Sequence, residues 1–529
     1  MTSTFCLREV RLRLEEQESV LPDKVTAQLG LKAGQLLCWN IVRKGIDARR
    51  KPAILRVYTV EFDVDEQTAR SLRQQDNPRL TEVIPAAPLP RAISRSRECR
   101  ALVVGMGPAG LFAALRLSDA GVHVTLIERG KPVEERLQDV RRFWAGDGLS
   151  AQSNVQFGEG GAGTFSDGKL TSRQNHPATR QVLETLVRFG APAEILYQAK
   201  PHIGSDRLRS VLIRFRQELQ RRGCDLRFST RLTGLVCRDR QVVAAVVDKS
   251  GEISCDALVL APGHSARDTY RLLLDSGILL QTKPFAVGLR VEHPATLINR
   301  IQYGLESHSQ LPAADYALTW NDKETGRGVY SFCMCPGGVV VNASSEEGGV
   351  VVNGMSDFGR AGEYSNSALV VSVRPDDFDQ KDALAGVRFQ QQWERSAFVA
   401  AGGRHLAPAQ PLCEFLAGRA GQLRSSCRPG VVHTDLDLVL PDFVRQGLRR
   451  ALPQFDRKMR GFVSEQATLV GIETRTSAPL RILRDERCQS ISHAGLFPAG
   501  EGAGYAGGIM SAAIDGLRVA DNIIEQNMD

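Results

Sequence analysis

Alternation of apolar and polar positions opens the chain in "LREVRLRLEE" and returns in "RVYTVEFDVD", predicting strands with one buried face. Between them "PDKVTAQLGL" starts at a proline and reads as a short helix. Residues 1–86 therefore form a small α+β domain on this reading, and 87–97, rich in proline and arginine, a linker. From residue 98 the pattern changes. "ALVV" (101–104) is a continuous apolar run fit for a strand covered on both faces. Leu111, Ala114, Leu115 and Leu117 then recur at roughly helical spacing until Gly121, and a second apolar run, 122–127, ends on Glu128. A helical region over 176–222 is followed by "DLRFSTRLTGLVCRD" and "QVVAAVVDKSGEI", which read as hairpin strands, and by the buried strand of "DALVLAPGHSARD". "GVVVNASSEEGGVVVNGMS" and "SALVVSVRP" read as strands, and "FVRQGLRRALPQFDRKM" as an amphipathic helix with a proline inside it. A last helix buries Ile509, Ala513, Leu517, Ala520 and Ile524 at spacings of three and four.

The 529 residues exceed what one core supports, so two or three domains are expected, and 42% hydrophobic with 24% charged residues is ordinary globular composition. No apolar run is long enough to span a bilayer, and "MTSTFCLREVRLRLEEQ" alternates charge where a signal peptide has an apolar centre, which points to the cytoplasm. Eleven cysteines without C-x-x-C spacing suit reduced thiols. The net charge of +7 is mild. Arg43, Lys44, Arg49, Arg50, Lys51 and Arg56 cluster with few aromatics between them, so a solvated surface is favoured over a nucleic-acid partner. No metal-ligand spacing is present, and no oligomeric state is assigned.

Three glycine-rich stretches change the picture. Gly105, Gly107 and Gly110 stand as G-x-G-x-x-G between strand and helix. The first permits a tight turn, the second lets backbone approach a pyrophosphate, and the third lets helix and strand pack closely. Glu128 has the spacing of a ribose-binding carboxylate and disfavours a 2′-phosphate, so FAD or NAD is favoured over NADP here. Gly158, Gly160, Gly161 and Gly163 precede Phe165, Ser166, Asp167, Gly168 and Lys169 in a loop suited to hold something against its backbone. The third stretch, "PAGEGAGYAGGIMSAAIDGLRVA", runs straight into the final helix.

Together with "LVLAPGHSARD", these stretches resemble the FAD-binding fold of the glutathione-reductase superfamily. More closely, the chain resembles a group of bacterial FAD-dependent dehydrogenases of the NAD(P)/FAD-dependent oxidoreductase type, over nearly its whole length. The resemblance implies an α/β architecture. A discontinuous Rossmann-like FAD-binding domain, 98–279 closed by 485–529, would hold an inserted α+β substrate or cap domain, 280–484. It implies contacts to FAD from Pro108 and Ala109 at the helix start, from Arg129 beside Glu128, and from Gly160, Gly161, Gly163, Phe165, Ser166, Gly168 and Lys169. Leu232, Ala261, Pro262, Gly263 and Gly500 complete that set. Glu501 would bond the ribityl chain, and Gly507, Gly508 and Ile509 would present backbone N–H groups to the pyrimidine end of the isoalloxazine. A helix N-terminus there stabilises the negative charge of the reduced ring.

For chemistry, "YSFCMCPGG" places Cys333 and Cys335 on one side of a strand. Their C-x-C spacing is unlike the usual redox pair, so core packing is favoured, yet they stand as the catalytic candidates. Glu473 and Arg475 form a charge pair that either holds a carboxylate substrate or braces a loop. His202 and His264 have no triad or metal spacing and read as surface or satisfied core residues. No second strand-bound G-x-G-x-x-G is present, so NAD(P)H, if used, would bind transiently over the flavin. The leading reading is an FAD-dependent oxidoreductase moving hydride between flavin and a small organic substrate. The alternatives are a flavoprotein acting on or with RNA and a flavin-binding partner protein without turnover.

Overall fold

Five short parallel strands carry two of the glycine turns, in the order Leu496–Pro498, Ala257–Leu260, Arg100–Val104, His123–Ile127, Asp225–Arg227. The protein, seen here as a computed structural model, is described over residues 2–32, 34–84, 99–171, 176–248, 251–379 and 381–526, so the stretch 87–97 lies outside the described residues. Side chains alternate across the sheet, as strand geometry demands. Ala101 and Val103 enter an apolar cluster with the helices, whereas Leu102 and Val104 enter another with the hairpin Leu232–Arg238 and Gln241–Val247. Burial on both sides explains the unbroken apolar run.

Helix Pro108–Asp119 and the last helix, Ile509–Gln526, pack closely on each other. A Cβ on Gly516 would lie 2.1 Å from the Ala109 carbonyl oxygen, so only glycine allows this approach. The chain between 176 and 222 is helical in three pieces, Ala178–Arg188, Ala193–Leu196 and Ser205–Arg221. "DLRFSTRLTGLVCRD" does not form a single hairpin strand. Asp225–Arg227 completes the parallel sheet, and the chain then turns through Ser229, at φ 48°, before Leu232–Arg238 begins the hairpin.

A second body carries seven strands in the order Thr319–Asn321, Gly328–Cys335, Tyr364–Val373, Phe285–Pro294, Thr468–Glu473, Ala407–Pro411, Val431–His433. Helix Asp442–Lys458, with Pro453 inside it, packs on this sheet through Val444, Leu448, Ala451, Leu452 and Phe455. The chain enters and leaves this body side by side, because Leu280–Thr282 pairs antiparallel with Leu480–Ile482. The N-terminal region forms a four-stranded antiparallel sheet, Cys38–Asp47, Leu55–Asp65, Thr2–Arg13, Leu80–Glu82, with its own apolar cluster. Among the described residues no helix is long and apolar enough to cross a membrane.

Candidate functional site

The first glycine turn is shaped by contacts that leave no room for a side chain. A Cβ on Gly105, at φ 101°, would sit 2.2 Å from the Ala261 carbonyl oxygen, and one on Gly110 would sit 1.9 Å from that of Gly105. Gly107 differs: its nearest neighbour would be the Gly161 Cα at 4.0 Å, so its face is open. Helix Pro108–Asp119 begins there with no side chain capping it, which leaves its amides and positive end available to an anion. Glu128, 6% exposed, accepts backbone N–H groups from Met106, Gly130 and Gly158, each at 2.9 Å. A carboxylate offers about four acceptor positions, so one remains for a further donor.

The second glycine stretch backs onto the first. The Gly160 N–H donates to the Met106 carbonyl at 2.8 Å, and a Cβ on Gly161 would come within 3.2 Å of the Gly107 Cα. Arg136, fully buried, organises the loop from below. Its guanidinium donates to the carbonyls of Asn154 (2.9 Å), Val155 (2.9 Å), Glu159 (2.6 Å) and Gly161 (2.9 Å) and to the Thr164 hydroxyl (3.2 Å). Burial draws its pKa down to about 10, which leaves it a cation at neutral pH.

The third stretch closes on the other two. Gly500 donates its N–H to Asp515 at 2.7 Å, and Asp515 pairs with Arg484. A Cβ on Gly500 would lie 2.7 Å from the Ala109 Cβ, and one on Gly502 2.5 Å from the Gly263 carbonyl oxygen. Ile509 is half-buried against Gly163, while Gly507 and Gly508 are exposed, and a Cβ on either would meet nothing within 4 Å. The start of the last helix is thus exposed, with the Gly507 N–H donating to the Ser511 hydroxyl at 3.0 Å. Glu501 accepts the Gly508 N–H at 3.3 Å, and burial pushes its carboxyl up to about 7, against the pull of Lys283.

Over these turns stand the two thiols. The strand Gly328–Cys335 has a bulge, its register against Tyr364–Val373 slipping between Phe332 and Cys335, with Cys333 at φ 42°. The thiols do not share one face of a regular strand, because the bulge breaks the alternation. Cys335 is buried and its Sγ reaches the Cys333 carbonyl at 3.4 Å, whereas Cys333 is half-exposed and is not a core residue. Lys169 donates to the Met334 carbonyl and pairs with Asp167 at 3.2 Å, and Asp167 pairs with Arg360. Arg290 donates to the Cys333 carbonyl at 3.3 Å. The neighbouring Cys335 thiol, aided by Lys169 and Arg290, outweighs burial and holds the Cys333 thiol below the usual thiol range, while Cys335 is raised above it.

Other expectations are corrected. Glu473 and Arg475 do not pair with each other. The strand ends at Glu473, so Arg475 lies past it, where strand alternation no longer sets its direction. Each finds a buried partner of its own: Glu473 meets Arg290 at 2.7 Å, and Arg475 meets Glu394 at 2.8 Å. Both brace the second body and neither is free to hold a substrate carboxylate. Phe165, 0% exposed, packs edge-on against Trp144, and Leu232, 5% exposed, sits in the apolar cluster under the sheet, so neither side chain is offered to a ligand. Arg129 pairs with Asp268 and covers the Phe157 ring. Ser166 is spent locally, bonding the Gly163 carbonyl at 2.7 Å, and Gly168 takes the left-handed conformation at φ 66°. His202 is buried, its Nε2 bonding the Phe358 carbonyl at 3.0 Å while its Nδ1 has no hydrogen-bond partner among the described residues. Arg56, placed on the surface by sequence, is 3% exposed, and Lys44 and Arg49 pair with Glu18 and Asp47. Sequence reasoning missed Arg136, Arg290, Lys283 and the Arg267–Glu394 pair.

Residues 98–141 match the family described as FAD binding domain, residues 284–476 that described as FAD-dependent protein, C-terminal domain-like, and residues 7–63 a domain of unknown function. An uncharacterised protein of Clostridium beijerinckii is 42% identical over 525 residues, which cover 98% of each chain. Among solved structures, the flavin-dependent brominase Bmp2 aligns at 11% identity over 81% of this chain and 79% of its own, with a TM-score of 0.38. CtdE in complex with FAD aligns at 12% identity over 81% and 88%, with a TM-score of 0.31.

Proposed function

Since this chain belongs to the same family as the Clostridium beijerinckii protein, and its cofactor is FAD, we propose that it is an FAD-dependent oxidoreductase transferring hydride between flavin and a small organic substrate. On this proposal 98–279 and 485–529 make a discontinuous Rossmann-like FAD domain of glutathione-reductase type, 280–484 covers the ring and selects the substrate, and 1–86 is a separate domain. The protein works in the cytoplasm, where its thiols stay reduced, and NADH or NADPH is its transient electron donor.

The observation that carries the reading is the pair of glycine-flanked helix starts, the first without a side-chain cap and the second exposed, its Gly507 and Gly508 N–H groups held by Ser511 and Glu501. One, at Gly107, suits the pyrophosphate, and the other, at Gly507 and Gly508, suits the ring edge that becomes negative on reduction. Bound FAD would supply hydride chemistry. Glu128 would hold the adenine ribose, and Glu501, poised near neutrality, would donate to or accept from the ribityl hydroxyls. The basic N-terminal residues are mostly engaged within the chain, which gives the RNA-linked reading no support.

The test is the visible spectrum of the purified protein under anaerobic NADPH and then NADH, with the released flavin identified. Bleaching of a bound-FAD band is expected; a flavin band that neither donor bleaches would remove the nicotinamide-driven reading. A second expectation concerns Gly507→Asp. Nothing lies near that position, so the carboxylate enters without a clash and repels charge on the reduced ring. The flavin potential should fall by about 20–60 mV, the equivalent of roughly 1–3 kcal/mol for two electrons. Photoreduction against a reference dye reads the shift, and an unchanged potential at full FAD occupancy counts against this placement of the ring.

A further inference from the structure

We propose that Cys333 and Cys335 form a dithiol–disulfide couple that exchanges two electrons with the bound flavin, placing disulfides or other thiol-reactive electrophiles among the substrates of this site. The inference rests on the flavin reading above and adds to it a second redox centre.

Geometry carries the argument. In a regular strand residues two apart are separated by about 6.6 Å, near the upper end of the roughly 4.4–6.8 Å span that a disulfide bridges. The bulge contracts this stretch, since the three steps from Phe332 to Cys335 oppose only the two from Ala368 to Asn366. The left-handed turn at Cys333 folds the chain back so that the Cys335 sulfur reaches the Cys333 carbonyl. Exposure is divided as a relay requires: Cys333 is half-exposed and Cys335 is enclosed.

The surroundings favour a thiolate. Lys169 anchors on the carbonyl between the two cysteines, Arg290 on the carbonyl of Cys333, and both cations belong to fixed networks through Asp167 and Glu473. Carboxylates face the pair as well. Glu473 is already neutralised by Arg290, and Glu501 lies close enough for its charge to be felt by Cys333. With the bond from Lys169 of the second glycine loop to the Met334 carbonyl, this proximity sets the thiols near the turn at which the flavin ring is proposed to lie. The low Cys333 pKa agrees with this setting, since the thiolate is the reactive form.

The step balances. The Cys333 thiolate and the Cys335 thiol lose two electrons and one proton, the Cys335 S–H bond breaks and an S–S bond forms. The electrons and the proton pass to oxidised flavin, which becomes the anionic reduced form. Run in reverse, reduced flavin restores the thiolate and thiol, and the thiolate can then attack a disulfide substrate.

The test is an anaerobic dithionite titration of the FAD-loaded protein after one cycle of reduction and reoxidation in air. Four electrons per FAD are expected for the wild-type chain and two for Cys333→Ser and Cys335→Ser. The peptide carrying both cysteines should escape alkylation in the oxidised sample and lack two hydrogens by mass. Uptake of two electrons by the wild-type chain with full FAD overturns the couple and leaves the flavin reading intact. A wild-type chain that cannot be loaded with FAD overturns both. If a serine variant fails to fold, the wild-type stoichiometry and the peptide mass decide alone.

Discussion

Arg136→Met is expected to yield a folded protein that no longer retains FAD. The side chain is 0% exposed and donates to four carbonyls and one hydroxyl in the 154–164 loop; the Glu159 and Gly161 carbonyls have a second donor in Thr164, whereas those of Asn154 and Val155 are met by Arg136. Methionine fills similar volume but donates nothing, and each buried carbonyl left without a partner costs about 1–3 kcal/mol. The loop can lower that cost by opening to water, and in doing so it withdraws Gly160 and Gly161 from the first glycine turn. A loss of about 3 kcal/mol in the bound state alone corresponds to FAD affinity reduced by roughly a hundredfold. Arg136→Lys should fall nearly as far, because an ammonium offers three donors from one point and cannot reach acceptors spread around a planar fork. Flavin fluorescence during dialysis reads the affinity, and far-ultraviolet circular dichroism reads the fold. A yellow Arg136→Met protein with wild-type affinity would show that the loop does not hold the cofactor.

Arg136 also marks the limit of what is legible in the sequence. It occupies the second position of a buried stripe, Val133, Arg136, Val140 and Phe143, so its signal is a charge where the helical period calls for an apolar residue. Hydrophobic period, glycines and turns are local properties. They reveal the strands around the first glycine turn, the final helix and the hairpin near 241, because burial on one or two faces leaves a direct mark on residue choice. Partner choice is not local. Glu473 and Arg475 read as a pair because they are neighbours, yet their partners lie 183 and 81 residues away. The bulge at Cys333 is hidden for a different reason. It needs a left-handed conformation at a residue that is not glycine, and nothing in "YSFCMCPGG" announces one before the pair of glycines that follows.

Glu394→Gln is the second large effect expected, and it acts on the junction between the two bodies. Glu394, on helix Ala385–Ala400, receives Arg267 from the chain beyond the parallel sheet, at 2.7 and 2.9 Å. It also receives Arg475 from beyond the strand Thr468–Glu473, at 2.8 and 3.0 Å, and the Thr474 hydroxyl at 2.6 Å. All three charged side chains are nearly inaccessible to water. Removing the carboxylate charge leaves two buried guanidiniums with one remaining ion partner, Glu346, and breaking such a buried pair costs about 3–5 kcal/mol. With roughly 2.1 cal/mol/K of unfolding entropy per residue, the melting temperature should drop by about 3–4 °C. Acidity gives an independent check. Burial alone would raise this carboxyl, but Arg267 and Arg475 outweigh it and hold the group well below the usual carboxylate range. A carboxyl depressed on folding contributes fully above its unfolded value of about 4.3 and loses that contribution as pH falls through the folded value. The gap between wild type and Glu394→Gln should therefore be constant from about pH 6 to 8 and narrow progressively below about pH 4–5. Replacing Arg267, Glu394 and Arg475 together by Met, Leu and Met should recover much of the stability, since a packed apolar cluster needs no compensating charges. If the single variant melts with the wild type across this range, the three charges do not join the bodies.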